Sequence, residues 1–107
     1  MDYGEAKKRL TKWGCEFLTK DELLARIRQL KMDEVIFHPY GCLGCGQANG
    51  EDDFTNILYA VYPTKPGTDS LSGGYEGELG ITLGGKLTYT TIARCKFCGA
   101  CDIYSDV

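Results

Sequence analysis

Two short cysteine loops carry the residue types and the spacing that could do chemistry. The first loop is Cys42-Leu43-Gly44-Cys45-Gly46 and the second is Cys95-Lys96-Phe97-Cys98-Gly99. In each loop the C-x-x-C spacing lets two thiolates reach one tetrahedral ion, while the glycine that follows allows the backbone to turn sharply. Because two such loops supply a complete set of four thiolates, the sequence predicts one structural metal ion held by Cys42, Cys45, Cys95 and Cys98.

Two further residues could substitute for one of these four ligands. Cys101 extends the second loop to C-x-x-C-x-x-C and could take the place of Cys98. His38, the only histidine, lies four residues before Cys42 and could give a Cys3His site, although a structural role is favoured. The sixth cysteine, Cys15, is predicted to be a buried apolar residue.

The paired C-x-x-C-G loops resemble the zinc-ribbon and rubredoxin-knuckle class, in which such loops end β-hairpins and face one another. This resemblance covers the two loops and the strand leading into each, and it implies a Zn²⁺ site, with iron as the alternative. The C-x-x-C-x-x-C spacing that ends at Cys101 is also similar to the spacing of cysteines that hold iron–sulfur clusters. Since Cys95 follows Cys45 by 50 positions, we expect the site to join distant segments of a larger sheet.

Length and charge constrain the class of protein. A chain of 107 residues is expected to form one zinc-stabilised domain, residues 1–107. The net charge of -3 disfavours a nucleic-acid binder. The acidity is concentrated in residues 42–107, which contain four Lys/Arg and eight Asp/Glu. Residues 1–41 contain eight Lys/Arg and seven Asp/Glu.

The cellular compartment follows from the absence of targeting signals and from the cysteine content. The chain shows neither an apolar run long enough for a membrane nor an apolar signal at its start, so we expect a cytoplasmic protein without a membrane partner. In a reducing compartment, six cysteines favour metal binding. A secreted form would instead pair them in three disulfides.

The first third of the chain predicts two helices. Residues 3–13 have apolar residues at helical spacing, with Asp2 and Glu5 able to cap the start. The second helix begins at Thr19-Lys20-Asp21-Glu22, a capping box, and its apolar stripe runs to about Lys31. We therefore predict a helical hairpin over residues 1–33.

Residues 34–107 are predicted to form a small antiparallel β-sheet that carries the zinc loops. Strands are expected at 35–37, at 54–62, and in a hairpin of 78–83 with 86–94 around Gly84-Gly85. Alternation along 54–62 puts Phe54 and Leu58 on one face and Ile57 and Tyr59 on the other, so this strand is expected to be covered on both faces. The acidic run Glu51-Asp52-Asp53 is interpreted as a solvated turn, and residues 64–77 as a long loop. The predicted fold class is α+β, with the helical hairpin packed on this sheet and a zinc-ribbon-like site.

The function predicted from these residues is non-enzymatic. Four thiolates leave no coordination position open for water, so the metal is not expected to be catalytic. The rest of the sequence contains no motif of catalytic residues. The leading hypothesis is a small zinc protein that binds a protein partner, as an inhibitor, immunity or adaptor protein does. The first alternative is a transcription-related nucleic-acid binder that uses Arg26, Arg28 and Lys31. The second is a rubredoxin-like or iron–sulfur electron carrier.

Overall fold

The computed structural model describes residues 2–33, 41–42, 44–63 and 87–104. These residues form an α+β fold. In chain order the elements are α1 (Tyr3–Thr11), β1 (Glu16–Leu18), α2 (Lys20–Gln29), a short 3-10 helix (Glu51–Asp53), β2 (Phe54–Val61), β3 (Tyr89–Cys95) and β4 (Cys101–Tyr104). A membrane-crossing helix needs about 20 apolar residues, and no helix within the described residues meets that requirement.

Both helices begin at the predicted capping boxes. The Glu5 N–H donates to Asp2 Oδ1 at 2.8 Å, and the Asp2 N–H donates back to the Glu5 carboxylate at 3.3 Å. At α2 the Glu22 N–H donates to Thr19 Oγ1 at 3.3 Å, while the Thr19 N–H donates to Glu22 Oε1 at 3.1 Å. Each box pairs backbone groups that the first helical turn leaves free. The helices end at Thr11 and Gln29, two residues earlier than the sequence pattern predicted.

The four strands form one antiparallel sheet in the order β1-β2-β3-β4. The sequence predicted a short link between the helices, but Glu16, Phe17 and Leu18 pair there with Val61, Ala60 and Tyr59 of β2. A strand therefore separates the two helices in the chain. A packed helical hairpin is not confirmed, because α1 contacts β3 and β4 whereas α2 contacts β1 and β2.

The two helices cover opposite faces of the sheet. Ala6 and Leu10 of α1 pack with Ala60, which lies on one face of β2. Leu23 and Ile27 of α2 pack with Tyr59, the preceding residue of the same strand. Successive strand residues point to opposite faces, so the sheet is a middle layer with a helix on either side. This agrees with the prediction that the strand at residues 54–62 is covered on both faces.

A β-bulge in β2 places the first residue of the strand, Phe54, beside the cysteine site. The register shifts between Thr55 and Leu58, so two residues of β2 oppose one of β3, and Asn56 takes a left-handed φ of 54°. The predicted alternation put Phe54 on the face of Leu58. The bulge instead pairs Phe54 with Cys95 and places it in a third buried cluster with Cys42, Ala48, Ala93 and Cys95.

Several sequence predictions lie outside the described residues. They are the strand at 35–37, His38, the loop at 64–77 and the hairpin strand at 78–83. The second strand of that hairpin, predicted over 86–94, corresponds to β3, whose partners within the described part of the chain are β2 and β4.

Candidate metal site

The first cysteine loop, residues 42–46, is closed by its own backbone. The Gly46 N–H donates to the Cys42 carbonyl at 2.9 Å, and Gly46 has a φ of +69°. Because this left-handed conformation strains any residue with a Cβ, glycine is the residue that fits the turn. The Gly44 N–H also donates to Cys42 Sγ at 3.3 Å, which stabilises the thiolate form of that sulfur.

The second cysteine loop, residues 95–99, joins β3 to β4 and repeats this geometry. The Gly99 N–H donates to the Cys95 carbonyl at 2.9 Å, and Gly99 has a φ of +75°. The Cys95 N–H donates to the Ala100 carbonyl at 2.8 Å, where the ladder between the two strands begins. Cys95 is the last residue of β3, so the sheet itself fixes the position of this loop.

The two loops bring four sulfur atoms together. The Sγ atoms of Cys42, Cys45, Cys95 and Cys98 all lie within 4.8 Å of one another. Across the loops, Cys42 Sγ is 3.5 Å from Cys98 Sγ, and Cys45 Sγ is 3.7 Å from Cys95 Sγ. A zinc ion with Zn–S bonds of about 2.3 Å sets its ligands about 3.8 Å apart, whereas a disulfide joins sulfurs at about 2.05 Å. All six cysteines of the chain are free, and the four-sulfur group matches a metal site.

The site is buried on one side and open on the other. Cys95 is fully buried, Cys42 is nearly so, Cys45 is half-buried and Cys98 is exposed. The inner wall is apolar, with the Phe54 and Tyr104 rings packed edge to face at a centroid distance of 5.2 Å. Burial raises the pKa of Tyr104 to about 12, an effect to which Cys42 also contributes. The aromatic wall excludes water from the inner half of the group.

The four thiols cannot all ionise easily without a cation. Backbone N–H groups of Cys45 and Gly44 lower the pKa of Cys42 to about 6. The Ala100 N–H acts in the same direction on Cys98, but the neighbouring Cys42, Cys45 and Cys95 sulfurs, together with desolvation, raise the pKa of Cys98 to about 12. A divalent ion at the centre would relieve this repulsion and favour the fully deprotonated set.

Asp53, which was predicted to lie in a solvated turn, links the segment after the first loop to the second loop. Asp53 Oδ2 accepts the Asn49 N–H at 2.7 Å, and Asp53 Oδ1 lies 2.8 Å from Lys96 Nζ. The Asp53 carbonyl also accepts the Lys96 N–H at 3.0 Å. Its ion pair with Lys96 and the bond from Asn49 lower the pKa of Asp53. The local sequence signal was a run of three acidic residues, which gives no indication of a contact with Lys96.

The other candidate ligands lie elsewhere or outside the described residues. Cys101 is buried in the cluster beneath α1 with Ala6 and Leu10, and it does not belong to the four-sulfur group. Cys15 packs against the same cluster, and burial raises its pKa to about 11. Cys15 is half-buried rather than buried as predicted, and the Cys101 thiol lies near the charges of Arg94 and Asp102. His38 lies outside the described residues.

The cations assigned to nucleic-acid binding are partly engaged within the protein. Arg26 forms a two-bond ion pair with Glu16, with N–O distances of 2.7 and 2.9 Å. Arg28 and Lys31 are exposed.

On α1, Lys7 Nζ lies 5.3 Å from the centroid of the Phe17 ring. That arrangement is typical of a long side chain lying along the edge of the core with its charge in solvent.

Comparison with known proteins adds no relative to this picture. The chain matches no family model, no curated protein and no solved structure. The fold and the site therefore define the class by themselves: an α+β protein with a four-stranded antiparallel sheet and a four-cysteine group at metal-binding distance. The group is consistent with a zinc-ribbon-like site.

Proposed function

We propose that this protein binds one zinc ion through Cys42, Cys45, Cys95 and Cys98, and that the ion locks the two cysteine loops together. The observation that carries the proposal is the convergence of four sulfurs within 4.8 Å from loops 50 positions apart in the chain. The ion would contribute folding free energy because the unfolded chain offers no such preformed site.

The proposed role of the ion is structural and the protein is proposed to be non-enzymatic. Four cysteine ligands fill the tetrahedron, so a bound zinc would have no open position at which to activate water. The backbone N–H groups directed at Cys42 and Cys98 stabilise thiolate ligands.

Iron is the second candidate, and one observation favours it. Cys98 is exposed, so an ion held by its sulfur would lie close to the surface, as an electron carrier requires. The mononuclear four-thiolate geometry would suit iron as well as zinc. An iron protein would absorb visible light, whereas a zinc protein is colourless because Zn²⁺ has a filled d shell.

The proposed biological role is the binding of a protein partner, in the cytoplasm, as an inhibitor, immunity or adaptor protein. The acidic balance of residues 42–107 supports a protein partner over a nucleic acid. The engagement of Arg26 with Glu16 points the same way. The described tyrosines, in contrast, do not support the role: Tyr59 and Tyr62 are buried, and Tyr3, Tyr89 and Tyr104 are half-buried.

Elemental analysis of protein purified without oxygen tests the proposal, together with a count of reactive thiols before and after chelation. We expect about one zinc per chain, no visible absorption, and four thiols that become reactive only when the chelator removes the ion. Iron with visible absorption would establish the electron-carrier alternative. A metal-free protein with four freely reactive loop thiols would refute the metal site itself.

A further inference from the structure

The sulfur atoms of the metal site lie in two close pairs, and each pair connects one cysteine loop to the other. Cys42 Sγ lies 3.5 Å from Cys98 Sγ, and Cys45 Sγ lies 3.7 Å from Cys95 Sγ. A disulfide joins its sulfurs at about 2.05 Å, so each pair is about 1.5 Å from bonding distance. Rotation of the cysteine side chains about their Cα–Cβ bonds covers that difference. The fold therefore holds the four thiols close to the geometry of two cross-loop disulfides.

The packing beneath the loops keeps these pairs together. Cys42 and Cys95 lie in one buried cluster with Phe54. The Lys96 N–H of the second loop donates to the Asp53 carbonyl at 3.0 Å, which ties that loop to the start of β2. Since Cys95 also ends β3, the two loops stay together while the sheet is folded.

The pairing across the loops is a property of the folded chain. Positions 42 and 98 are 56 residues apart, and positions 45 and 95 are 50 residues apart. In an unfolded chain the two cysteines of one C-x-x-C loop meet more often, because a short loop costs less entropy to close. Cross-loop disulfides are therefore expected where the sheet is intact, and disulfides within each loop where it is not.

Each cross-loop pair joins a sulfur that solvent can reach with a buried one. Cys98 is exposed and its partner Cys42 is buried, while Cys45 is half-buried and its partner Cys95 is buried. Redox-sensitive sites typically combine an accessible thiol, which the oxidant attacks, with a second thiol that resolves the product. In this group Cys98 and Cys45 are placed for the first role, and Cys42 and Cys95 for the second.

We propose that the metal site is a redox switch in which two disulfides, Cys42–Cys98 and Cys45–Cys95, replace the zinc ion as the link between the loops. This inference deepens the proposed function and rests on it, because it names the reaction that removes the ion. Both states hold the same two loops together, so oxidation releases the ion while the sheet stays folded. Disulfides that close long loops also stabilise a fold by restricting the unfolded chain.

Hydrogen peroxide is the oxidant, and one molecule is consumed for each disulfide. The accessible thiol attacks one peroxide oxygen, the O–O bond breaks, and the products are a sulfenic acid and water. The buried thiol then attacks the sulfenic sulfur, which forms the S–S bond and releases a second water. Two thiols lose two electrons, and their hydrogens end in water. When zinc holds the sulfurs as thiolates, the solvent supplies those protons and Zn²⁺ leaves.

Peptide mapping of the oxidised protein tests the switch. Zinc-loaded protein is treated with hydrogen peroxide, its remaining thiols are alkylated, and the chain is digested with trypsin, which cuts after lysine and arginine. The cut after Lys96 separates Cys95 from Cys98, whereas no cut separates Cys42 from Cys45. We expect the first-loop peptide to be joined to both second-loop peptides. Fragment ions from cleavage between Cys42 and Cys45 should assign Cys42 to Cys98 and Cys45 to Cys95.

The ion and the fold are followed in the same samples. Oxidation should release about one zinc per chain, measured with a chromophoric chelator, while the circular dichroism stays that of the native chain. Cys15→Ser is the matched control, since Cys15 lies outside the four-sulfur group, and it should give the same disulfides and the same zinc release. In concentrated urea the same treatment should give disulfides within each loop.

The outcomes separate the switch from the metal proposal. A chain that takes up no zinc overturns the proposed function and the switch together. A zinc-loaded chain overturns the switch alone if peroxide leaves the zinc in place, drives the sulfurs to sulfinic acid, or forms any other set of disulfides in the native chain, including one with Cys15 or Cys101. Loss of the native circular dichroism on oxidation, or the same cross-loop disulfides in urea, would also refute it.

Discussion

Substitution of Gly99 by alanine offers a direct test of the metal site, because its cost can be worked from the backbone. Gly99 has a φ of +75°, and a Cβ at this position would meet no atom within 4 Å. The cost is therefore conformational strain alone, about 1–2 kcal/mol for an L-residue in the left-handed region. Since the turn must close for Cys95 and Cys98 to face one ion, we expect zinc affinity to fall about 5- to 30-fold.

Gly44→Ala is the matched control for this measurement. Gly44 lies in the other loop without a left-handed φ, and an added Cβ would make ordinary contacts at 3.5 to 3.8 Å. Competition for zinc against a chromophoric chelator gives both affinities. We expect Gly44→Ala to stay within about threefold of the native chain, while Gly46→Ala, at a φ of +69°, should resemble Gly99→Ala. Equal affinities for Gly99→Ala and Gly44→Ala would refute the strained-turn argument.

Three further tests address other parts of the structure. Cys95→Ser should lose zinc and much of the folded population, whereas Cys15→Ser, outside the four-sulfur group, should keep one zinc per chain; retained zinc in Cys95→Ser would contradict the ligand set. Asp53→Asn should weaken zinc binding by no more than about fivefold, because Asp53 contacts Lys96 and not a cysteine and an exposed ion pair contributes about 0–1 kcal/mol; a tenfold or larger loss in the chelator assay would contradict this. Burial raises the pKa of Tyr59 from 10.0 to about 12, so the unfolded chain ionises first and native stability falls as pH rises from 10 to 12, by up to about 3 kcal/mol. Urea unfolding at pH 9 and pH 11 should show a smaller alkaline loss for Tyr59→Phe than for the native chain, and equal losses would contradict this account.

The parts of the fold that the sequence predicted correctly depend on local signals. The two capping boxes have side chains and backbone partners within four positions of each other, so Asp2 and Thr19 could be identified without any knowledge of tertiary structure. The convergence of the four cysteines could be predicted for a different reason. Two identical C-x-x-C-G spacings imply a shared ion whatever the chain does between them.

The missed features depend on contacts between distant residues. Glu16, Phe17 and Leu18 form β1, but three residues are too few to show a strand's alternation, and their pairing is set by β2. The bulge at Asn56 shifts Phe54 to the other face of the sheet, which a pattern of period two does not reveal. Asp53 forms an ion pair with Lys96, which lies 43 positions away in the sequence, so the residues next to Asp53 do not indicate this contact.

The packing of α1 on β4 has a consequence for synthesis of the protein on the ribosome. Ala6 and Leu10 pack with Ile92 and Cys101, which are made some 90 residues later. At about 5–20 residues per second, this apolar helix face waits several seconds for the strands that cover it. During that interval α2 can already fold back on β1 and β2, but α1 remains an exposed amphipathic segment, a natural substrate for a chaperone acting on the nascent chain.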